Sequence, residues 1–372
     1  MTFARYYSKL LNWECLNMSS GHLIDLNDCT VNEWEALIKL ASDIRLNPHD
    51  YIHRCEGKIM ATLFYEPSTR TQMSFQAAML RLGGQIIGFD NPVNSSVSKG
   101  ETLKDTIRIV SGYSDIIVMR HPQEGSAKAA SLFSLCPIVN AGDGGHLHPT
   151  QTITDLVTLS SVKGRLTDLQ IGLCGDLKYG RTVHSLIKAM SNFKGNSFYL
   201  ISTPELSIPL YIKEVLDVSG CTYCEVNSLD ECIGELDVLY MTRIQRERFA
   251  TPEEYEKQRG VYILDIEKLK KAREDLSILH PLPRLDEIEI AIDDDSRAVY
   301  FRQAAYGMYA RMALILKMLE EDFTDSKDEK LLIMQNICSN PRCIIHSEKY
   351  LKSFYKFNES NHPICLYCDE KL

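Results

Sequence analysis

Residues 58–84 read KIMATLFYEPSTRTQMSFQAAMLRLGG, and this stretch decides the fold. KIMATLFYE is an apolar run of strand length. Phe75, Met79 and Leu82 then recur at helical spacing, and Gly83-Gly84 supplies a stop. A strand joined to a helix by a short polar turn is half of a βαβ unit. The turn itself, Ser68-Thr69-Arg70-Thr71, offers hydroxyls, a fixed cation and the free N–H groups of a helix start, a combination suited to phosphate. An N-cap cluster followed by a solvent-facing arginine is the plainer alternative.

Outward from that unit the same alternation continues. QIIGF (85–89) and DIIVM (115–119) are short strand candidates, and 150–162 is helical, with Ile153, Leu156 and Val157 on one face and Gly164 beyond. A second set follows: LQIGLCG (169–175) as a strand, a helix with Val183, Leu186, Ile187 and Met190 at i, i+3, i+4 and i+7, then NSFYLIS (196–202) and VLYMT (238–242). The pattern predicts an α/β chain of two domains with parallel sheets covered by helices. We divide it into an N-terminal extension (1–20), a first domain (21–150), a second domain (151–290) and a helix over 303–320 returning to the first. That helix carries Met308, Met312, Ile315, Leu316 and Leu319 on one face. A charged linker (321–330) and a small C-terminal module (331–372) complete the division.

A chain of 372 residues with 44 % apolar and 24 % charged residues has the balance of a soluble globular protein. The net charge of −9 argues against a general binder of nucleic acid or anionic membranes, though converging arginines can still govern one cleft. No apolar run reaches membrane-spanning length, and the first twenty residues lack the apolar core of a secretory signal. Cys15, Cys29, Cys55, Cys136, Cys174, Cys221, Cys224 and Cys232 are scattered, which points to a reducing, cytoplasmic setting. The pair Cys221-x2-Cys224 has no partner pair and reads as ordinary thiols.

Further polar segments stand at turns between elements. SSVSKGE (95–101) is a polar loop whose Lys99 could meet an anion or only solvent. In MRHPQEG (119–125), Arg120 ends a strand candidate, where the ligand crevice of a parallel sheet lies. In NAGDGGHLHPTQT (140–152), Pro149 suits a first helical turn and places His148 and Gln151 beside it. His146 and His148 have no carboxylate or cysteine partner at a metal-ligand spacing. GDLKYGRTVHS (175–185) lacks a dinucleotide fingerprint; Arg181 suits a carboxylate, and His184 reads as structural. YMTRIQRER (240–248) presents Arg243 and Gln245. In HPLPR (280–284) two prolines are expected to hold Leu282 extended with carbonyls free, and one prolyl bond could be cis.

Taken in order, STRT, KGET, MRHP, HPTQT, DLKYGRTVHS, YMTR-x-Q and HPLPR resemble the catalytic chain of aspartate carbamoyltransferases over about 21–320. The resemblance implies transfer of the carbamoyl group of carbamoyl phosphate to L-aspartate, giving N-carbamoyl-L-aspartate and phosphate, an early step of pyrimidine biosynthesis. It implies that Ser68, Thr69, Arg70 and Thr71 hold the phosphate, and that Arg120, His148 and Gln151 surround the carbamoyl group. Thr69, Arg70, Arg120 and His148 would serve the reaction directly. Arg181, Arg243 and Gln245 would take aspartate, and the carbonyls of Leu282 and Pro283 would orient amino groups. Ser95 and Lys99 would enter a neighbouring subunit's site, so the active unit is expected to be a homotrimer. No redox cofactor and no catalytic metal are implied.

Cys338-x4-Cys343, then 21 residues, then Cys365-x2-Cys368 gives two close thiol pairs, the arrangement of a structural, tetrahedral zinc site. His346 and His362 are possible substitutes. From residue 331 onward five Lys/Arg face four Asp/Glu, which is not a basic patch for nucleic acid. The spacing resembles the zinc domain of the regulatory chain found with some aspartate carbamoyltransferases, here fused to the catalytic chain. That chain's nucleotide-binding domain has no counterpart, so no control by CTP or ATP through it is expected. The competing readings are a carbamoyltransferase for another amine, such as ornithine, and a non-catalytic zinc-containing scaffold.

Overall fold

The computed structural model describes residues 21–25, 29–244, 249, 251–320, 331–333, 336–358 and 362–372. Gln245, the expected N-terminal extension and the expected linker lie outside them.

The opening stretch folds as β1 (Ile59–Phe64) followed by α2 (Thr69–Arg81), preceded by α1 (Val31–Leu46). With β2 (Gln85–Phe89), β3 (Ile116–His121) and β4 (Ile138–Asp143), β1 makes a parallel sheet ordered β2-β1-β3-β4. Its interior strands are apolar on both faces because helices cover them. Met60, Leu63, Ile117 and Val118 are all buried. β4 was not foreseen, since NAGD reads as a turn; its flanking Ile138 and Val139 supply the apolar content. The polar and connecting pieces include α3 (Leu103–Val110) and α4 (Ser126–Ser131).

α5 (Pro149–Lys163) leads into the second sheet: β5 (Gln170–Cys174), β6 (Ser197–Ile201), β7 (Thr222–Val226), β8 (Val238–Met241) and β9 (Ser277–Leu279), ordered β7-β6-β5-β8-β9 and parallel throughout. α6 (Arg181–Met190), α7 (Leu210–Val218), α8 (Pro252–Gln258) and α9 (Ile266–Leu269) accompany it. Val183, Leu186, Ile187 and Met190 of α6 are fully buried, as their spacing requires. α10 (Tyr300–Glu320) returns to pack on α1, α2 and α5. The central helices bury more than one stripe: on α5 not only Ile153, Leu156 and Val157 but also Thr154, Asp155 and Thr158 are inside.

Each sheet has one point where strand order reverses, between β1 and β3 in the first and between β5 and β8 in the second. Ligand crevices form outside the carboxyl ends of strands at such points. The polar turns after β1, β4, β5, β8 and β9 contribute to a single cleft.

The C-terminal residues form a three-stranded antiparallel sheet of β10 (Leu332–Ile333), β11 (Phe354–Phe357) and β12 (Pro363–Cys365). The module packs on the first sheet's side of the molecule. Ile344, Leu351 and Tyr367 share one apolar cluster with Leu103, Met119 and Ala127. The joint is hydrogen-bonded as well: Glu124 N–H donates to the Arg342 carbonyl at 3.0 Å, and Ile344 N–H donates to the Glu124 carbonyl at 2.9 Å. Gly125, at φ 82°, lies so close to Tyr367 that a Cβ there would stand 2.5 Å from the Tyr367 Cβ. Among the described residues, no helix is long and apolar enough to cross a membrane.

Candidate active site and cysteine cluster

The cleft has a volume of ≈ 480 Å³ and gathers Ser68, Thr69, Arg70, Thr71, Arg120, His148, Gln151, Arg181, Arg243, Leu282 and Pro283 from both sheets. Ser68 is the N-cap of α2 and its side chain caps nothing, so the first amides of the helix face the cleft with the positive end of the helix dipole. Arg70 lies across from Arg243, and burial followed by that second cation lowers its pKa. Two guanidinium groups are thereby held where an anion would relieve their repulsion.

Arg120 sits where the β3–β4 register shifts, between Met119 and His121. Such an irregularity turns a side chain out of the strand pattern. Arg120 pairs with Glu66 at 2.6 Å and donates to the Ala141 carbonyl at 3.2 Å. His148 is the N-cap of α5 and is buried. Burial, then the cations of Arg181, Arg120 and Arg311, hold its pKa well below the ordinary imidazole value, so the ring is neutral at neutral pH. A neutral ring can donate one N–H to a carbonyl oxygen without carrying a charge of its own. Gln151, one turn into α5, has its amide fixed by Asp155 Oδ1 at 2.8 Å. Arg181 begins α6 and donates to the Gly144 carbonyl, which ties the two halves of the cleft together.

The HPLPR turn departs from expectation. Leu282 is not extended but has φ 52°, because its N–H turns back to His280 Nδ1 at 2.8 Å. The Leu282–Pro283 bond is cis. His280 is anchored in turn by Glu287 Oε1 at 2.7 Å and by its own N–H to Gln303 Oε1 at 2.9 Å.

Ser95 and Lys99 are not in this cleft. They line a separate hollow of ≈ 690 Å³ with Phe89, Val93 and Thr106. Ser95 Oγ donates to the Pro92 carbonyl and accepts from Val97 N–H, so it shapes its own loop.

Sequence reading missed several cleft residues: Ser74, Thr154, His280, Gln303 and Arg311. Arg311 is buried within α10, donates to Ser74 Oγ at 3.2 Å and Thr154 Oγ1 at 3.4 Å, and lies 5.0 Å from the Phe75 ring. Burial brings its pKa down to about 10, so it remains a cation. A lone arginine inside MYARMALIL was the available signal. With it, five arginines (70, 120, 181, 243 and 311) line the cleft against one carboxylate, Asp176, among the described residues. Such a cleft suits a ligand carrying several negative charges.

The four cysteines of the module are buried, with all four sulfurs within 4.8 Å of one another. Cys338 Sγ lies 3.5 Å from Cys368 Sγ, and Cys343 Sγ lies 3.9 Å from Cys365 Sγ. Thiolates at tetrahedral zinc are about 3.8 Å apart for Zn–S bonds of about 2.3 Å, so the donor set fits a four-coordinate metal ion. His346 Nε2 faces the Cys338 carbonyl at 2.9 Å, which makes it a support of the cluster rather than a fifth donor. No other metal-binding group of three or more donors occurs among the described residues.

An uncapped helix start and five arginines in one cleft between two parallel α/β sheets suit substrates that carry several negative charges, and comparison with known proteins gives the class of enzyme. Residues 21–161 match the aspartate/ornithine carbamoyltransferase carbamoyl-P binding domain and 167–318 the Asp/Orn binding domain. The chain belongs to the aspartate/ornithine carbamoyltransferase family. It is 58 % identical over 305 residues to an aspartate carbamoyltransferase catalytic subunit of Clostridium perfringens, covering 82 % of this chain and 99 % of that one. A Clostridium botulinum catalytic subunit is 60 % identical over 299 residues, covering 80 % and 97 %. The catalytic subunit of M. jannaschii aspartate transcarbamoylase superposes with a TM-score of 0.76 at 48 % identity, covering 81 % and 98 %. The Trypanosoma cruzi enzyme with carbamoyl phosphate and aspartate gives 0.76 at 36 % identity, covering 81 % and 97 %.

Proposed function

We propose that the chain catalyses transfer of the carbamoyl group from carbamoyl phosphate to L-aspartate in pyrimidine biosynthesis, as an aspartate carbamoyltransferase. One observation carries this reading: five arginines and a free helix start converge on a single cleft at the carboxyl ends of both sheets. In the reading, the α2 start with Ser68, Thr69, Arg70 and Thr71 takes the phosphate. Arg181 and Arg243 take the two carboxylates of aspartate, and Gln245, outside the described residues, is assigned to assist them.

The aspartate amine then attacks the carbamoyl carbon, the C=O electron pair moves to oxygen, and the C–O bond to phosphate breaks as the carbonyl re-forms. Phosphate leaves with that electron pair and accepts the proton lost by the amine. Thr69, Arg120 and the neutral His148 are the donors assigned to the developing oxyanion. Such donors typically contribute about 2.7–4 kcal/mol each to lowering the barrier. Gln151 and the carbonyls of Leu282 and Pro283 orient the carbamoyl NH2 and the amine. The two sheets hold both reactants in one geometry, which supplies the proximity term.

Ornithine as the second substrate would call for a carboxylate near its side-chain amine. Five arginines set against Asp176 among the described cleft residues favour an acidic second substrate. Ser95 and Lys99, remote from their own cleft, are assigned to a neighbour's site in a homotrimer. Structural zinc is assigned to Cys338, Cys343, Cys365 and Cys368; it would tie the two cysteine pairs of a segment too short to fold well alone. The setting is assigned as cytoplasmic. Assaying purified protein with L-aspartate and L-ornithine in parallel tests the reaction: turnover with aspartate alone supports it, turnover with ornithine alone overturns the assigned second substrate, and turnover with neither returns the scaffold reading.

A further inference from the structure

The C-terminal module lies beyond both matched family regions, which end at residue 318. Its last turn nevertheless reaches the loop that leads into His148. His146 stands between two carboxylates: Nδ1 is 3.1 Å from Asp143 Oδ2, and Nε2 is 2.9 Å from Asp369 Oδ2, one residue beyond Cys368. Asp143 is a buried hub. Its Oδ1 accepts from Leu147 N–H at 3.0 Å and Asn140 Nδ2 at 3.1 Å, and its Oδ2 accepts from Gly125 N–H at 2.8 Å. Next in the chain, Gly144 N–H donates to the His121 carbonyl at 2.8 Å, while the Gly144 carbonyl accepts from Arg181. A continuous chain of contacts therefore runs from the module through His146 and Asp143 to the backbone that sets Arg181 and His148.

We propose that Asp369 is a positioning residue for the transferase site, acting through His146 to hold the 143–148 loop on which Arg181 and His148 depend. The module is then part of the catalytic framework, and its effect falls on Arg181, assigned to the second substrate, and on His148, assigned to the carbamoyl oxygen. The α2 start is built from the β1 turn, which meets this chain of contacts only indirectly, through Arg120 and His121. This inference rests on the transferase reading above, and its test separates the two.

Full-length protein carrying Asp369→Asn, His146→Ala or both would be compared with the unsubstituted chain. Asn tolerates the left-handed backbone at this position, where φ is 58°, so D369N removes the charge without backbone strain. The aspartate KM is expected to rise about fivefold or more in D369N, with the double variant no worse than the worse single one, because contacting residues are not additive. Binding of inorganic phosphate by calorimetry and metal content should stay unchanged, and D369E should recover part of the loss. An unchanged aspartate KM in D369N, or losses that multiply in the double variant, overturns the proposal. Amide hydrogen exchange gives a readout that needs no turnover: residues 144–148 should exchange faster in D369N while α2 amides do not. Equal exchange in the loop overturns the proposal too. Should D369N fold poorly, H146A, which lies outside the module, is read in the same two ways. Absence of turnover in the unsubstituted chain would count against the transferase reading alone.

Discussion

Asp155 Oδ1 accepts a hydrogen bond from Gln303 Nε2 at 2.6 Å, although the two residues lie 148 positions apart. The same carboxylate takes Gln151 Nε2 at 2.8 Å and Tyr240 OH at 3.0 Å. One buried acid thus joins α5, α10 and β8, and through Gln303 it reaches His280 and the HPLPR turn.

Burial pushes the Asp155 carboxyl up to about 7, against the pull of Gln303, Gln151 and Tyr240 towards the charged form. A carboxyl raised in the folded state contributes stability that is complete below its ordinary value and is lost as pH rises through about 7. Asp155→Asn cannot ionise, so its stability relative to the unsubstituted chain should improve between pH 5 and pH 8. Urea unfolding at several pH values measures this, and a difference independent of pH would contradict the assignment.

Arg70→Ala should lower kcat/KM by roughly 10²–10³, the usual scale for losing one charged donor to a developing anion. Arg70 is exposed at the first turn of α2, so the fold and metal content should not change. Circular dichroism and metal analysis check that the loss is local.

Ser95 and Lys99 line a hollow away from the cleft of their own chain. If they complete a neighbour's site, Lys99→Ala and Arg70→Ala are each nearly inactive alone, yet subunits exchanged between the two regain turnover. Mixed trimers contain interfaces where both residues are intact. No recovery after verified subunit exchange would argue against shared sites.

Chelation should unfold the module before the rest of the chain. Cys343 and Cys365 are buried in the same apolar cluster as Leu103 and Ala127, so metal loss exposes the module's side of the first domain. We expect a first thermal transition lowered by roughly 5 °C or more, with ready cleavage after residue 320 by added protease. Restoring zinc should reverse both effects.

The site was legible where chemistry sits in one short turn. Ser68 to Thr71, His148 to Gln151 and Arg181 each occupy a strand-to-helix junction, and such junctions announce themselves by polar residues between apolar runs. The cysteine cluster was legible for the same reason, since spacing alone brings each pair together. Arg311 and Gln303 were not, because they reach the cleft from a helix whose approach is set by tertiary packing. His280 stood inside the HPLPR segment, but its bonds to Glu287 and Gln303 are folded contacts that the motif does not show. β4 was missed because its second half, Asn140 to Asp143, is polar and buried by specific partners: Gly142 N–H donates to Asn140 Oδ1, and Asn140 Nδ2 reaches the Ile24 carbonyl. Leu282 was misread because a local bond to His280 outweighs the extended preference of a residue before proline.

The close seat of Tyr367 against Gly125 gains a different meaning from the covalent connection between the two parts. A tethered partner meets its docking face at an effective concentration in the millimolar range, typical of short linkers. An interface too weak to persist between separate polypeptides at micromolar levels is therefore occupied nearly all the time within one. The joint needs shape more than affinity, and dilution cannot strip the module from the enzyme as it could strip a separate subunit.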